Sequence, residues 1–193
     1  IEVQLTQVAD DRYIMRVCDN GPGIVKTQIP NICGKLLYGS KFHRLRMSRG
    51  QQGIGISAAS MYGQLTTGKA TRVISRTAAR RLANCYEMQI DTARNKPQIV
   101  REEQCEWHQQ QGTQVEIEME ARYQRGRQSV DEYLRQTALA NPHLQLLYTA
   151  PDGREELDER SNEDMPQEAQ EIRPHPHGIE LGVLIKMMQG TLH

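Results

Sequence analysis

Two glycine-rich runs, which occur in a fixed order along the chain, constrain its fold more than any other feature. The first is Asp19-Asn20-Gly21-Pro22-Gly23, and the second is Gly50-Gln51-Gln52-Gly53-Ile54-Gly55. Residues 12–18 are rich in residues that favour β-strands, so Asp19 is predicted to lie at the carboxyl end of a strand. Ligands tend to bind at that end in open α/β sheets. The pattern predicts a strand, a turn, an intervening lid and a second turn that begins a helix.

The first run has the composition of a turn that binds a flat ring. A buried carboxylate at Asp19 can accept a hydrogen bond from an exocyclic amine, such as the N6 group of adenine. Gly21 and Gly23 lack a Cβ, so they allow positive φ values and let the backbone approach the ring closely. Pro22 stiffens the turn between the two glycines.

The second run is typical of a helix start that binds phosphate. Such a terminus offers free N–H groups and the positive end of the helix dipole. The apolar residues that follow at helical spacing are Ile54, Ala58, Met61 and Leu65. The order G-x-x-G-x-G excludes the dinucleotide motif, and the absence of a following Gly-Lys-Ser/Thr excludes the Walker P-loop. Either run alone is equally compatible with a tight turn or a helix cap.

Together, the two runs resemble the Bergerat-fold ATPases, the group that contains gyrase B, MutL, the large ATP-dependent heat-shock chaperone and sensor histidine kinases. This resemblance implies that Asp19, Gly21 and Gly23 form the adenine-binding box and that the second run closes a lid over the phosphates. Gly112-Thr113 begins a segment in which apolar and polar residues alternate, as in a strand. The resemblance implies that Thr113 supports Asp19 at the adenine edge.

Within that group, longer segments resemble the B subunits of DNA topoisomerase VI. The segments are Tyr38–Arg44, Ser48–Gly55, Ser129–Leu134, Asn141–His143, Pro151–Gly153 and Ile172–Gly178. The resemblance covers nearly the whole chain except residues 154–171. It implies an ATP site formed by Asp19, Gly21, Gly23, Ser40, Lys41, Arg49, Gly50, Gln51, Gln52, Gly53, Ile54, Gly55, Ile56 and Thr113.

The resemblance also implies an activity, cofactors and partners. ATP binding would dimerise two B subunits and close a gate around double-stranded DNA, and hydrolysis would reset the gate during the relaxation of supercoils. A separate A subunit with a tyrosine nucleophile would cleave the DNA, within a cytoplasmic heterotetramer. The implied cofactors are ATP and Mg²⁺.

The departures from the family pattern concern catalysis. The helix that carries the catalytic glutamate and the magnesium-binding asparagine is expected before Ile1. The lysine that reaches the γ-phosphate is expected in a transducer domain after His193. No catalytic residue and no metal ligand is therefore assigned within this chain, which is expected to be an inactive fragment on its own.

Two rival interpretations remain open. One is another ATPase of the superfamily, such as a MutL-like or histidine-kinase-like enzyme, although the residues from Ser48 to Gly55 differ from the lids of those proteins. The other is an interaction subunit that kept the fold and lost hydrolysis. The upstream helix discriminates between an ATP-hydrolysing subunit and an interaction subunit. A protein whose helix lacks the glutamate and the asparagine is expected not to hydrolyse ATP.

The charge distribution is uneven although the net charge is zero. No Asp or Glu occurs between Asn20 and Tyr86, whereas residues 154–173 are rich in acids. The eleven basic residues of the first region are Lys26, Lys35, Lys41, Arg44, Arg46, Arg49, Lys69, Arg72, Arg76, Arg80 and Arg81. Those from Lys41 to Arg49 can neutralise a triphosphate. The four arginines from Arg72 to Arg81 either face DNA or form a solvated surface.

The periodicity predicts an α+β two-layer sandwich, in which a mixed, mostly antiparallel sheet carries helices on one face. Strands are predicted near 1–8, 11–18, 70–77, 84–92, 97–104, 113–120 and 144–150. Helices are predicted near 27–37, 53–64, 130–140 and after 179. Residues 1–172 are expected to form the ATP-binding domain, which ends in an acidic surface excursion or linker, and residues 173–193 to begin a small helical domain. The sequence has no apolar stretch long enough to span a membrane.

Overall fold

The computed structural model describes residues 1–39, 52–165, 167, 169–170 and 176–190. Eight strands and four α-helices form in these residues. The strands are β1 (Glu2–Ala9), β2 (Arg12–Asp19), β3 (Thr71–Arg76), β4 (Ala83–Asp91), β5 (Lys96–Cys105), β6 (Gly112–Glu120), β7 (Leu146–Thr149) and β8 (Glu155–Asp158). The helices are α1 (Ile29–Gly34), which follows a 3-10 turn at Lys26–Gln28, α2 (Gly55–Thr67), α3 (Val130–Leu139) and α4 (Leu181–Gly190). Apart from β8, which was not predicted, these elements confirm the predicted succession of strands and helices.

The eight strands form one sheet in the order β5-β4-β3-β6-β2-β1-β7-β8. Neighbouring strands are antiparallel except for β1 and β7, which are parallel. The predicted α+β class with a mixed, mostly antiparallel sheet is therefore confirmed. The order also places β2, β6 and β3 side by side in the interior of the sheet. The carboxyl ends of β2 and β3 lie on either side of the start of β6.

Helices α1 and α2 cover one half of a single sheet face. Val115 pairs with Val17 on one side and with Val73 on the other, so these three side chains point to the same face. Val73 and Val115 pack with Ile29 of α1 and Ile56 of α2. The burial of this cluster attaches both helices to the sheet.

Helix α3 covers the other half of the same face. Met15 lies two residues before Val17 on β2 and therefore points to the same side. It packs with Val130 and Leu134 of α3, in a cluster that also contains the buried side chain of Tyr148. The expectation that the helices share one face of the sheet is thus confirmed for α1, α2 and α3.

Helix α2 packs on the sheet through small residues. Its buried positions are Ser57, Ser60 and Gly63. A Cβ atom at Gly63 would lie 2.5 Å from Ile117 Cγ2, so this position requires glycine. Leu65, which belongs to the apolar set identified in the sequence, is 71% exposed. That apolar set is therefore not the packing face of α2, because the close helix–sheet contact leaves room only for small side chains.

The acidic stretch contains a strand that the sequence analysis missed. Residues Glu155–Asp158 form β8, which pairs with β7 at the edge of the sheet. The interpretation of this stretch as an excursion or linker is therefore wrong for β8. Acidic side chains are compatible with an edge strand because they project into solvent, where they also oppose pairing with another chain.

The first turn of α3 carries a buried hydrogen-bonded network. Asp131 accepts hydrogen bonds from the hydroxyl of Tyr148 at 2.9 Å, from that of Tyr123 at 2.8 Å and from Arg154 Nη2 at 2.9 Å. Burial alone raises the pKa of Asp131, but these hydrogen bonds outweigh burial and hold the pKa below its ordinary value. The network joins α3 to β7 and to the loop before the helix.

The cap of α3 follows the sequence prediction. Ser129 has an extended backbone, and its hydroxyl accepts a hydrogen bond from the backbone N–H of Glu132 at 3.1 Å. This contact is one half of the predicted capping box, and it satisfies one of the free N–H groups at the helix start.

At the carboxyl-terminal end, α4 forms where a helix was predicted. The predicted boundary between residues 172 and 173 lies outside the described residues, so the division into two domains stays a prediction. Across the described ranges, each helix is too short or too polar to cross a lipid bilayer.

We predict that Asp131→Asn lowers the free energy of unfolding by about 2–4 kcal/mol at pH 7, because the amide nitrogen would replace one carboxylate oxygen and face two of the three donors. A urea titration followed by circular dichroism measures this difference. The native pKa lies below the ordinary value of 3.8. As the pH falls below that value, the native chain therefore loses the contribution of Asp131 to its free energy of unfolding. The difference in unfolding free energy between the native chain and the Asp131→Asn variant then becomes smaller.

Asp10→Asn in the exposed β1–β2 turn is the matched control for this change, and it is expected to alter stability by less than about 0.5 kcal/mol. Equal effects of the two substitutions, or a gap that is the same at pH 7 and pH 3, would contradict the assigned role of Asp131.

Candidate nucleotide-binding site

Asp19 is held in place by two backbone N–H groups. Its Oδ1 atom accepts a hydrogen bond from Gly21 at 2.8 Å and another from Thr113 at 3.2 Å. The second oxygen, Oδ2, receives no hydrogen bond from the part of the chain that the structure describes. The sequence suggested a buried carboxylate at this position, whereas Asp19 is half-buried in the structure. The side chain is thus oriented by one oxygen and leaves the other available as an acceptor.

Thr113 and Ser75 lie beside Asp19 on the same face. Thr113 pairs with Asp19 across β6 and β2, and it pairs with Ser75 across β6 and β3. Partners in a ladder point to the same side of a sheet. The hydroxyl oxygens of Ser75 and Thr113 are 3.1 Å apart, and Ser75 also accepts a hydrogen bond from the backbone N–H of Ile24 at 2.7 Å. Ser75 therefore links the adenine-box turn to the strand that carries Thr113.

Two glycines allow the backbone to approach closely around this site. Gly23 has a φ of +70°, and a Cβ atom there would lie 2.2 Å from the carbonyl oxygen of Arg76. Gly112 has a φ of +136°, and its Cβ would lie 1.9 Å from the carbonyl oxygen of Asp19. Both positions combine a left-handed backbone with a contact that excludes any side chain. The positive φ that was predicted for both glycines of the first run is therefore found at Gly23, whereas Gly21 does not adopt it.

The described part of the second glycine run begins α2. Gly53 has a φ of +61°, and its Cβ would lie 2.4 Å from the carbonyl oxygen of Tyr38. Ile54 provides no side-chain cap, and the first turn of α2 contains no acidic residue. Its N–H groups are oriented along the helix axis, as in a site for an anion.

The start of α2 lies on the same core as the first run. Ile24, which follows the Gly23 turn, and Ile56, in the first turn of α2, both pack against the cluster of Ile29, Cys33 and Val73. The two runs are thus attached to one core cluster through Ile24 and Ile56. The described site residues are Asp19, Gly21, Gly23, Gln52, Gly53, Ile54, Gly55, Ile56 and Thr113, and their common role in one site stays a prediction. The predicted lid residues Ser40, Lys41, Arg49, Gly50 and Gln51 lie outside the described residues.

An apolar groove of about 520 Å³ opens on the helix face of the sheet, and Val17, two residues before Asp19, lines it. Its floor includes Val3 and Val17, and its wall is α3, with Tyr133 and Leu134. Because Val17 lies two residues before Asp19 on β2, the side chain of Asp19 points to the face on which this groove opens. This arrangement suits an aromatic ring with one polar edge.

A second cavity, of about 810 Å³, is lined in part by the turn of residues 19–22. Its lining includes Glu2, Cys18 and Leu147, and Glu2 is the ladder partner of both other residues. Cys18 precedes Asp19 on β2, so these side chains point to the opposite face of the sheet. The hydrogen bonds of Asp19, Thr113 and Ser75 therefore assign the candidate nucleotide site to the helix face.

Part of the basic region is used within the fold. Arg72 Nη1 lies 4.0 Å from Glu116 Oε2, and Arg76 Nη1 donates a hydrogen bond to the carbonyl oxygen of Gln109 at 2.8 Å. Arg80 and Arg81 lie exposed in the turn between β3 and β4. A DNA-facing role thus stays a prediction for the last two, whereas Arg72 and Arg76 have structural contacts.

The magnesium ligand was predicted upstream of this chain. Within residues 1–39, 52–165 and 176–190, His, Cys, Asp and Glu side chains form no cluster of three or more that could hold a metal ion. The position of the magnesium ligand stays a prediction, and no step is assigned to that ion.

The sequence is similar to curated proteins along almost its whole length. The B subunit of type 2 DNA topoisomerase 6 from Methanosarcina barkeri is 50% identical over 192 residues, which are 99% of this chain and 31% of that protein. The protein of the same name from Archaeoglobus fulgidus is 50% identical over 99% of this chain and 32% of its own length. The chain spans about a third of the length of these relatives. No protein-family model matches the sequence.

The fold is similar to that of a solved ATPase domain. The structure of the Aquifex aeolicus MutL ATPase domain complexed with ADP superposes with a TM-score of 0.50 over 83% of this chain and 57% of that domain. The sequence identity is 18%, so this likeness concerns the fold alone. It confirms the predicted fold class.

We predict that Gly23→Ala destabilises the chain more than Gly68→Ala. The two glycines have nearly equal φ values, +70° and +71°, but no atom lies within 4 Å of a Cβ at Gly68. Gly68→Ala therefore tests the backbone conformation alone, at about 1–2 kcal/mol, and Gly23→Ala adds a clash of about 1–3 kcal/mol. Urea denaturation of both variants measures the difference. Equal losses would show that the close approach at Gly23 is not a constraint.

Proposed function

The chain is a homologue of the B subunits of type 2 DNA topoisomerase 6 over 99% of its length, and we propose on this basis that it is their ATP-binding region. The observation that carries the proposal is the state of Asp19. One carboxylate oxygen is fixed by two backbone N–H groups, and the other accepts no hydrogen bond from the described residues; the side chain points to the sheet face on which the apolar groove lined by Val17 opens. This is the geometry that an adenine ring requires, because the base has an amino group at the edge of a flat apolar surface.

Each described site residue has a task in nucleotide binding. Asp19 Oδ2 accepts a hydrogen bond from the adenine amine, and Thr113 supports Asp19 through its backbone N–H. Gly21 and Gly23 leave room for the ring. The N-terminus of α2, with Gly55 and Ile56 in its first turn, faces the phosphates with its N–H groups and its dipole.

The predicted lid completes the site. Ser40, Lys41 and Arg49 supply hydroxyl and cationic groups to the phosphates, and the run of Gly50 to Gln52 supplies backbone N–H groups. These assignments rest on the resemblance of this segment to the B-subunit lid and on the charge that a triphosphate requires.

The proposed role of the whole protein rests on the resemblance of its sequence motifs to those of the topoisomerase B subunits. ATP binding dimerises two B subunits around double-stranded DNA, hydrolysis resets the dimer, and a separate A subunit cleaves the DNA. Magnesium, the general base and the γ-phosphate lysine are supplied by parts of the protein outside this chain. The exposed Arg80 and Arg81 are available to an anionic partner such as DNA.

Identity favours this proposal over the rival ATPases. The chain is 50% identical to the topoisomerase B subunits and 18% identical to the MutL domain. In the alternative of an interaction subunit, the protein binds ATP but does not hydrolyse it. An ATPase assay of the full-length protein therefore distinguishes that alternative from an ATP-hydrolysing subunit.

We predict that Asp19→Asn weakens ATP binding by about tenfold to a hundredfold, which corresponds to the cost of about 1–3 kcal/mol for a donor that faces another donor. The amide oxygen can still accept from Gly21 and Thr113, so the fold is retained. Isothermal titration calorimetry measures the affinity, and circular dichroism checks the fold. Asp10→Asn is the control for a change of charge on the surface. An Asp19→Asn variant that binds ATP like the parent chain would refute the assignment.

A further inference from the structure

We infer that Ser75 is a positioning residue that determines which nucleobase the site accepts, an inference that rests on the proposed function. Ser75 is completely buried in β3. Its hydroxyl oxygen lies 2.7 Å from the backbone nitrogen of Ile24, 3.0 Å from the carbonyl oxygen of Gly112 and 3.1 Å from Thr113 Oγ1. Three polar groups thus converge on a side chain that has a single hydrogen to donate.

The three contacts are compatible with one arrangement of protons. A carbonyl oxygen can only accept, so the contact with Gly112 requires Ser75 to donate its one hydrogen there. Ser75 then accepts from the N–H of Ile24 with one lone pair. The remaining lone pair is paired with Thr113 only if the Thr113 hydroxyl donates. In this arrangement all three hydrogen bonds form, and the direction of the Thr113 hydroxyl is fixed.

Fixing this hydroxyl changes what the site offers to a ligand. With its hydrogen directed at Ser75, the Thr113 oxygen can only accept further hydrogen bonds. Its neighbour Asp19 is a carboxylate whose free Oδ2 also only accepts. The polar edge of the site therefore consists of acceptors, and the complementary ligand is one that presents N–H groups.

This polarity distinguishes amino purines from keto purines. The 6-amino group of adenine donates hydrogen bonds to such an edge. With position 6 of the base held at this edge, the 6-keto oxygen of hypoxanthine or guanine would face two acceptors, and buried polar groups without partners reject a ligand strongly. A keto purine could offer its N1–H to the carboxylate only by turning within the site, away from the orientation that adenine adopts. Ser75 would act on the base through Thr113, without touching the base itself.

Ser75→Ala tests this role because it releases the Thr113 hydroxyl. Without an acceptor at position 75, that hydroxyl can rotate and donate to a keto oxygen. The experiment measures the dissociation constants of ATP and of inosine triphosphate (ITP), which carries a keto oxygen in place of the 6-amino group. We expect the parent chain to prefer ATP and Ser75→Ala to reduce the ratio of the two constants by about tenfold.

Ser60→Ala is the matched control. Ser60 is also a buried serine, and within the described residues its hydroxyl has no hydrogen-bond partner. The same change of serine to alanine is therefore expected to leave the ATP-to-ITP ratio unaltered. If Ser75→Ala only loosened the site, it would weaken the binding of ATP and of ITP equally and leave the ratio of their dissociation constants unchanged. The ratio therefore separates base selection from structural damage.

The outcomes separate failure of this inference from failure of the proposed function. If the parent chain binds ATP, and Asp19→Asn weakens that binding while Ser75→Ala leaves the ratio unchanged, the role of Ser75 is refuted and the proposed function stands. If the parent chain does not bind ATP, or Asp19→Asn has no effect, the proposed function fails. Thr113→Val offers a second test, because removal of the hydroxyl should make a further Ser75→Ala change without effect on the ratio.

Discussion

The alignment of three strand ends at Asp19, Thr113 and Ser75 is the constraint on which the candidate site depends. Because Thr113 is the ladder partner of both other residues, the carboxylate and the two hydroxyls point to one face. Hydrogen bonds then join them to the turn through Gly21 and Ile24. The register of β2, β6 and β3 thus places the three side chains at the polar edge of the site, although they are far apart in the sequence. The hydrogen bonds then attach the turn from Gly21 to Ile24 to this edge.

The close approach of backbone segments explains why glycine is needed on two sides of that edge. Gly23 contacts the end of β3 at Arg76, and Gly112 contacts the end of β2 at Asp19. With a side chain at either position the strand end would move outwards, and the hydrogen bonds that orient Asp19 would lengthen. The glycines therefore preserve the acceptor geometry at the end of the sheet as well as allowing the turn.

The sequence was sufficient for the features that depend on local patterns and insufficient for those that depend on packing. Asp19 and its turn were predicted because a strand followed by a glycine turn has a local signal. Leu65 was assigned to an apolar face, yet α2 packs through Gly63, because the distance between helix and sheet decides which side chains fit. Strand β8 was missed because its acids have the composition of a linker. Ser75 had no signal, since a serine within a strand becomes informative only when its three partners are known.

Two neighbouring rows of side chains protect the register that the site needs. On the helix face, Val17, Val115 and Val73 form an apolar row across β2, β6 and β3. On the opposite face, Arg16 and Arg72 flank Glu116 from either side, at 3.4 and 4.0 Å. Each exposed ion pair contributes little stability, but a slip of one residue would place the charges in the core and the valines in solvent. The three valines therefore fix the register of β2, β6 and β3. Asp19, Thr113 and Ser75 each lie two residues from one of these valines, so the same register sets their positions.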